Sequence, residues 1–275
     1  MHQIGPIGVF DSGYGGLTVL KALKKHLPQH DFVYLGDNAR TPYGTRSFET
    51  IYQFTLDAVK KLFELGCPLI VLACNTASSK ALRSIQQQYL PTVEDYKRVL
   101  GVIRPTTEIV GRESTTGHIG VFGTHGTISS NSYPLEIKKN FPQSQVFQEA
   151  CPMWVPLVEN NEHKNDGADY FIKNNISRLF SKSSKIDTVI LGCTHYPLLL
   201  PKINKYIPSG VKVLEQGEIV GKSLVGYLLR HNEMYSRCSR NSSIKFFTTD
   251  STDMFDAHAS IFFNEPVASI RISLP

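Results

Sequence analysis

The sequence predicts an α/β fold made of two related domains, and three observations support this prediction. The chain has 275 residues, which is the length of roughly two ordinary domains. Short apolar runs rich in β-branched residues alternate with longer segments of helical period, a pattern typical of parallel sheets covered by helices. One of these runs, Ile7–Phe10, recurs identically as Ile119–Phe122. We therefore expect each domain to be a mostly parallel sheet flanked by helices.

The predicted strands are the short apolar runs, and the predicted helices are the amphipathic stretches between them. The strands are expected at Ile7–Phe10, Phe32–Leu35, Leu69–Ala73, Val99–Val102, Ile119–Phe122, Val146–Phe147, Thr188–Leu191, Val211–Leu214, Ile244–Phe247 and Val267–Ile270. The helices include Leu17–Leu27, Phe48–Leu65, Ser78–Tyr89 and Ile219–Leu229. In the second of these helices apolar residues recur at spacings of three or four, and Gly66 follows as a helix stop.

The internal repeat extends beyond the first strand. Leu69–Thr76 resembles Thr188–His195, and each of these segments contains a cysteine, Cys74 in one and Cys193 in the other. The offset between the two cysteines is close to the offset between the two copies of the first strand. Two matched pairs in the same order predict two domains of related topology, each with a cysteine at the carboxyl end of a strand.

The composition excludes several classes of protein. Apolar residues make up 41% of the chain, which is ample for a core, and a charged fraction of 19% argues against disorder and a coiled coil. The net charge of +5 is diffuse and lacks the basic stripe of nucleic-acid-binding proteins. Leu69–Cys74, the longest apolar stretch, is too short to span a bilayer, and Met1–Gly5 shows no signal sequence. We therefore expect a soluble, cytoplasmic protein that binds neither nucleic acid nor a membrane.

Cysteine usage points to thiols rather than disulfides or metal sites. The chain has five cysteines, an odd number, and contains no C-x-x-C pair, which argues against a disulfide framework and a zinc ribbon. Cys193 and His195 have no further Cys or His at ligand spacing, so no metal is expected. The glycines near residue 15 do not form a dinucleotide fingerprint, because position 18 is threonine.

Cys74 and Cys193 are the candidate reactive thiols. Ligands bind outside the carboxyl ends of strands in open α/β sheets, and a helix that begins there favours thiolate over thiol. Two opposed thiols suit the inversion of a carbon that bears an acidic hydrogen, because one face needs a base and the other an acid. His195 and Asp11 could manage the protons of each side. The simpler alternative is that each cysteine is a packing residue, that His195 is a buried histidine and that Asp11 is an N-cap.

The sequence motifs around these residues resemble those of the glutamate racemases, which are cofactor-independent enzymes that supply D-glutamate for peptidoglycan. The matching segments occur in the order of that family. They are Gly8–Gly13 with Gly15–Leu17, Tyr34–Arg40 with Pro42–Gly44, Ala73–Ser78, Val155–Glu159, and Leu191–Leu199. The set covers the chain from residue 7 to about residue 220.

The resemblance implies an active site in an interdomain cleft, with the chain returning to the first domain near its end. Residues 1–98 and 208–275 would form the first α/β domain, and residues 99–207 the second. Cys74 and Cys193 would be the catalytic acid/base pair, supported by Asp11, Asp37, Glu159 and His195. The residues expected to bind the substrate are Asp11, Ser12, Tyr43, Gly44, Asn75, Thr76, Thr124, Thr127, Thr194 and His195. The expected partner is the small-molecule substrate glutamate, no cofactor is expected, and a homodimer is left open.

Two segments depart from the family pattern. Arg104–Thr107 stands where the family commonly has an acidic residue, proline and glycine, and Glu215–Gly217 replaces a turn that commonly contains aspartate. These departures put regulation or domain contacts in question rather than chemistry. The chain also lacks the long N-terminal extension with which some relatives bind a cell-wall precursor, so that mode of activation is not expected.

Other functions remain open at the level of sequence. One is a racemase of the same superfamily that acts on aspartate or a related acid. Another is a cysteine hydrolase that uses Cys193 and His195 and would require an oxyanion hole. A third is an amino-acid-binding protein without turnover, which should keep its affinity when either cysteine is lost.

Overall fold

The computed structural model describes residues 4–275. Residues 1–3, part of the N-terminal segment used above to argue against a signal sequence, lie outside the described residues. Two compact units are present. One consists of the chain up to Val102 together with Gly217–Pro275, and the other of Ile103–Gln216.

The strands of the two units alternate with helices, as the sequence pattern predicts. The strands are β1 (Ile7–Asp11), β2 (Phe32–Gly36), β3 (Leu69–Leu72), β4 (Arg98–Gly101), β5 (His118–Gly123), β6 (Gln145–Ala150), β7 (Thr188–Gly192), β8 (Lys212–Leu214), β9 (Ile244–Thr248) and β10 (Ser269–Arg271). The helices are α1 (Leu17–His26), α2 (Phe48–Glu64), α3 (Asn75–Lys80), α4 (Leu82–Ser84), α5 (Ile103–Glu113), α6 (His125–Ser129), α7 (Ser132–Asn140), α8 (Trp154–Glu159), α9 (Asp166–Lys182), α10 (Leu200–Tyr206), α11 (Gln216–Arg230), α12 (Asn232–Tyr235) and α13 (Thr252–Phe263). Every predicted strand is present, with its ends shifted by at most a few residues.

The first unit is built on a six-stranded sheet with the order β10-β9-β2-β1-β3-β4. All of its strand pairs are parallel. The central strands β1, β2 and β3 are buried along their whole length, which explains why they read as continuous apolar runs.

The second unit is built on a four-stranded parallel sheet with the order β6-β5-β7-β8. This order matches that of β2-β1-β3-β4 in the first sheet. The register matches as well, because Ile7 pairs with Leu69 in the first sheet and Ile119 pairs with Thr188 in the second. The residues that the sequence repeat matches therefore occupy equivalent positions, which confirms two related α/β domains.

The boundaries between the units differ from those suggested by the sequence. The strand at residues 99–102, assigned above to the second domain, is β4 and pairs with β3 in the first sheet. The strand at residues 211–214, assigned above to the first domain, is β8 and pairs with β7 in the second sheet. The chain thus enters the second unit after Val102 and leaves it after Gln216.

Helix α2 follows its predicted pattern, whereas the helix predicted at Ser78–Tyr89 is interrupted. Ser47 caps α2 by accepting a hydrogen bond from Thr50 N, and Gly66 ends this segment with a positive φ of 86°. The predicted single helix at Ser78–Tyr89 is wrong. The chain there forms the end of α3, a break at Ala81, α4 and a π-helical turn at Ile85–Tyr89.

This segment packs closely on β4. A Cβ at Gly101 would lie 2.6 Å from Leu82 Cδ2 and 3.0 Å from Ser78 Oγ, so Ser78 and Leu82, four residues apart, both lie against this strand. Across residues 4–275 the structure contains no helix with the length and apolar character that crossing a bilayer requires.

Candidate active site

In each sheet, one of the two candidate cysteines follows a central strand. Cys74 comes after β3, which neighbours β1, and Cys193 comes after β7, which neighbours β5. In both sheets the strand order reverses direction at this pair. The chain first adds a strand on one side, β2 beside β1 or β6 beside β5, and then adds β3 or β7 on the other side. Such switch points open a crevice at the carboxyl ends of the strands, where ligands bind in α/β proteins.

Cys74 is buried and held at the start of α3. Its side chain is 6% exposed, and its sulfur accepts a hydrogen bond from Ala77 N at 3.5 Å. The thiol donates to Ser12 Oγ, also at 3.5 Å, so the residue after β1 touches the residue after β3. The structure therefore brings together two of the predicted site residues of the first unit.

Asp11 lies at the end of β1, next to Cys74. It is fully buried, and its Oδ2 accepts a hydrogen bond from Gly13 N at 3.0 Å. A Cβ at Gly16 would lie only 2.5 Å from Asp11 Cβ, so this position requires glycine. Burial raises the pKa of Tyr34, and the charges of Asp11 and Cys74 raise it further. A neutral phenol therefore stands close to both groups.

Asp37 is fully buried and acts as a fixed acceptor for its neighbours. Tyr43 donates to Asp37 Oδ2 at 2.5 Å, Arg40 Nε donates to the same oxygen at 2.7 Å, and Thr249 donates to Oδ1 at 2.9 Å. Burial and the charge of Asp37 raise the pKa of Tyr43, whose hydroxyl is also within electrostatic reach of Cys74. Asp37 thus holds the Tyr43 phenol toward the thiol.

The remaining predicted binding residues of the first unit surround the same strand ends. Asn75 and Thr76 begin α3 directly after Cys74, and both are buried. Gly44 is half-buried in the turn after Tyr43. All of these residues follow β1 or β3 or belong to the loop after β2, so the sheet topology explains their proximity.

Cys193 has a cationic neighbour, the imidazole of His195. Its sulfur lies 3.9 Å from His195 Nδ1, and His195 Nε2 lies 3.0 Å from Glu159 Oε1 at the end of α8. Burial acts to lower the pKa of His195, but the hydrogen bonds to Cys193 and Glu159 outweigh burial and raise that pKa to about 10. The imidazole is therefore protonated at neutral pH and stands between a thiol and a carboxylate.

The helix expected to begin at Cys193 is absent, which corrects one step of the sequence argument. Cys193 O accepts a hydrogen bond from Tyr196 N, and the chain continues as a 3-10 turn at Tyr196–Leu199 before α10. Tyr196 and Pro197 take the first two positions of this turn. At Cys193 the cationic His195, rather than a helix terminus, provides positive charge.

The other predicted residues of the second unit also lie at strand ends. Thr124 follows β5 and caps α6, where its Oγ1 accepts a hydrogen bond from Thr127 N at 3.2 Å. The two threonine hydroxyls are 3.1 Å apart. Thr194 is buried beside Cys193. Thr124 and Thr194 thus mirror the positions of Ser12 and Asn75 after the equivalent strands of the first sheet.

Three residues that contact this machinery were missed by the sequence analysis. Arg40 was quoted only as part of a motif, yet it joins Asp37 to Asp57 Oδ2 at 3.0 Å. Tyr133 and Gln216 form a buried hydrogen bond of 2.8 Å in the second unit. No periodicity or short motif marks such contacts, because their partners are distant in sequence.

Taken separately, each unit presents one thiol among groups able to bind an amino acid. Carboxylates can bind an ammonium group, and hydroxyls and amides can bind carboxylates. Within residues 4–275, no group of three or more His, Cys, Asp or Glu side chains is arranged to hold a metal ion. Sulfur and imidazole are groups that transfer protons.

Comparison with known proteins connects this arrangement to one family. A profile described as Asp/Glu/Hydantoin racemase matches residues 17–220. Glutamate racemase from Listeria innocua is 40% identical over 266 residues, which are 96% of this chain and 96% of that protein.

Solved structures agree with the sequence comparison. A crystal structure of glutamate racemase from Bacillus anthracis superposes with a TM-score of 0.90 at 33% identity, covering 100% of this chain and 99% of the other. Glutamate racemase from Francisella tularensis, solved in complex with D-glutamate, gives a TM-score of 0.86 at 31% identity, covering 99% and 98% of the two chains. The chain therefore belongs to the Asp/Glu/Hydantoin racemase family.

Proposed function

We propose that this protein is a glutamate racemase that interconverts L- and D-glutamate with two cysteines and no cofactor. The observation that carries the proposal is the equivalent placement of Cys74 and Cys193 after β3 and β7, two strands that occupy the same position in two sheets of the same order. The similarity to glutamate racemases over nearly the whole chain supports glutamate as the substrate.

The reaction requires one proton to leave the α-carbon and another to arrive on the opposite face. One cysteine, as thiolate, takes the α-proton, and the other, as thiol, delivers its proton to the other side of the resulting carbanion. Each turnover exchanges the protonation states of the two sulfurs. The proposal thus requires both thiols to reach a single α-carbon.

The two sulfurs have separate tasks in this proposal. Cys74 takes the α-proton from D-glutamate and Cys193 takes it from L-glutamate, an assignment that follows from the family resemblance. Asp11 and Asp37 support the Cys74 side, and His195 with Glu159 supports the Cys193 side. The contact between His195 and Cys193 Sγ at 3.9 Å favours this pairing of roles.

The substrate is held by groups from both units. The proposed binding residues are Asp11, Ser12, Tyr43, Gly44, Asn75, Thr76, Thr124, Thr127, Thr194 and His195, all of which lie at or near strand ends. Buried hydroxyls and amides of this kind bind the carboxylates, and the Asp11 carboxylate is suited to the ammonium group. The D-glutamate produced would serve peptidoglycan synthesis and hence cell shape, with the enzyme acting in the cytoplasm.

Incubation of the purified protein with L-glutamate in D2O tests the reaction directly. We expect D-glutamate to accumulate and deuterium to enter the α-position, as followed by chiral analysis and NMR. Activity should persist after treatment with a chelator and without pyridoxal phosphate. Loss of activity on chelation with recovery on adding a metal would contradict the proposal, and faster turnover of aspartate would reassign the substrate. Ester or amide cleavage would instead indicate a hydrolase.

Serine substitutions test the division of labour between the cysteines. Cys74→Ser and Cys193→Ser should each lower racemisation by about 10²- to 10⁴-fold, because a serine hydroxyl is a far poorer base than a thiolate. An analogue with a leaving group on Cβ, such as 3-chloroglutamate, needs only one base. The base removes the α-proton, the C–Cl bond breaks as a C=C bond forms, and the enamine hydrolyses to 2-oxoglutarate and ammonium.

This elimination assay separates the two faces. The L-analogue should still react in Cys74→Ser and the D-analogue in Cys193→Ser. The opposite pattern would reverse the assignment of faces. Near wild-type racemisation in either variant would refute the two-thiol mechanism. If the wild type binds glutamate without any turnover, and both variants bind it with the same affinity, the protein is a binding protein.

A further inference from the structure

A second group of buried polar side chains adjoins Cys193, apart from His195 and Glu159. Tyr133 and Thr106 are fully buried, and Gln216 is 4% exposed. They come from α7, α5 and the start of α11, so their sequence positions are far apart. None of them belongs to a motif quoted above, although Thr106 and Gln216 lie in the two departures, Arg104–Thr107 and Glu215–Gly217.

Gln216 holds the hydroxyl of Tyr133 in place. Its Nε2 donates to Tyr133 Oη at 2.8 Å and to Thr106 Oγ1 at 3.2 Å. Both acceptors are buried, so this amide ties Tyr133 to Thr106 in the interior of the unit. The amide thus fixes where the end of the Tyr133 ring can lie.

The ring of Tyr133 lies directly on the strand that carries Cys193. A Cβ at Gly192 would be 3.1 Å from Tyr133 Cε2 and 3.4 Å from its hydroxyl oxygen. Phe122 O of the neighbouring strand would be closer still, at 2.8 Å, so glycine here leaves room for both that strand and the phenol. Because Gly192 immediately precedes Cys193, the phenol covers the last residue of β7 before the thiol.

The Tyr133 hydroxyl also lies within electrostatic reach of Cys193. Burial raises the pKa of Tyr133, the hydrogen bond from Gln216 acts in the opposite direction, and the charge of Cys193 raises that pKa further. The same charge raises the pKa of Tyr196 and Cys151, which like His195 stand near Cys193. Tyr133 is therefore one of four titratable groups around this sulfur and the one packed on Gly192.

We propose that Tyr133, held by Gln216, is a positioning residue that fixes the end of β7 and with it the Cys193 sulfur. Its phenol restrains the backbone at Gly192, and Gln216 restrains the phenol. This inference rests on the proposed function, since it concerns the base that takes the α-proton of L-glutamate. It also gives the departure at Gln216 a role in the site.

Single-cysteine enzymes allow this role to be measured on one face at a time. Tyr133→Phe keeps the ring on Gly192 but removes the hydroxyl, and Gln216→Leu keeps the volume but releases the phenol. Each substitution, added to Cys74→Ser, should lower kcat for elimination from L-3-chloroglutamate by about three- to tenfold. KM should stay within about twofold, because neither side chain is among the proposed substrate contacts.

Two controls separate positioning from general damage. The same substitutions added to Cys193→Ser should leave elimination from D-3-chloroglutamate unchanged, because Cys74 is then the base. Thr188→Val removes a buried hydroxyl from the opposite end of β7, where it bonds Glu113 O, and should leave both eliminations unchanged. If Tyr133→Phe destabilises the fold, Gln216→Leu still tests the proposal with the tyrosine intact.

Each outcome decides the question. A fall confined to kcat with the L-analogue supports the positioning role. Equal falls with both analogues, a fall of the same size in Thr188→Val, or no change in Tyr133→Phe and Gln216→Leu would overturn it while leaving racemase function intact. If neither parent single-cysteine enzyme eliminates chloride, the two-thiol function itself fails, and this inference fails with it.

Discussion

The two cysteines stand at equivalent positions of two similar sheets, yet their surroundings differ. Cys74 caps a short helix and touches Ser12, with the carboxyl group of Asp11 on the adjoining strand end. Cys193 is followed by a turn and lies 3.9 Å from His195, whose pKa is raised to about 10. One thiol therefore has an acidic neighbour and the other a cationic neighbour.

This difference shows what the repeated fold determines and what it leaves open. The shared strand order and register determine where each sulfur emerges from its sheet. The charges around each sulfur differ because Asp11 ends β1 where Gly123 ends β5, and His195 stands where the first copy has Thr76. Glu159, which bonds His195, comes from α8. We therefore expect the two thiols to depend on different neighbours, and the following predictions test that expectation.

The largest expected effect concerns stability, since only the Cys193 side has a titrating cation. His195 has a pKa raised from 6.5 to about 10, so its charge stabilises the folded state fully below pH 6.5, and this contribution is lost as pH rises toward 10. The loss should be on the order of 4 kcal/mol, judged from the size of the shift. Urea unfolding between pH 6 and 10.5 measures it.

The matched variant is His195→Asn, in which this part of the pH dependence should disappear. Glu159→Gln should reduce it, because one of the two hydrogen bonds that raise the pKa is weakened. Identical pH dependence in the wild type and His195→Asn would mean that the imidazole is not charged in the folded protein.

A smaller effect is expected on kcat when the charged neighbour of either thiol, His195 or Asp11, is replaced. His195→Asn in Cys74→Ser should lower kcat for elimination from the L-analogue by about 10²-fold, the low end for loss of acid/base support. Asp11→Asn in Cys193→Ser should do the same with the D-analogue. The crossed combinations should keep kcat within about threefold. Equal losses on both faces would show that the neighbours serve binding alone.

The smallest effect is expected from the threonines that follow the cysteines. Thr76→Ala and Thr194→Ala each remove one neutral hydrogen bond, worth about 0.5–1.5 kcal/mol. Racemisation should therefore fall by a few-fold to about tenfold in each variant, measured as kcat/KM with L-glutamate. If both variants keep wild-type kinetics, neither hydroxyl belongs to the site.

Sequence reasoning succeeded where the signal is local. The buried parallel strands are continuous apolar runs, and the repeat located both cysteines at strand ends, because a strand buried on both faces tolerates few polar residues. It failed where distant parts of the chain meet. The boundaries of the units depend on which sheet β4 and β8 join.

The site shows the same division between local and distant signals. The sequence motifs correctly predicted that Asp11, Cys74 and Cys193 lie at strand ends. The helix expected at Cys193 is replaced by a 3-10 turn that begins three residues later, at Tyr196. The contact between Gln216 and Tyr133 has no local signature, since the two residues come from α11 and α7.

The discontinuous first sheet has a consequence for folding during synthesis. The second unit is one uninterrupted segment, Ile103–Gln216, whereas the first sheet needs β9 and β10 from the end of the chain to cover the edge of β2. Domains generally fold as units as the ribosome releases them. The nascent chain therefore carries an unpaired β2 edge while the whole second unit emerges, and an exposed edge invites pairing with other chains. Ribosome stalling once Gln216 has left the exit tunnel should thus yield a folded second unit beside an incomplete, chaperone-dependent first one.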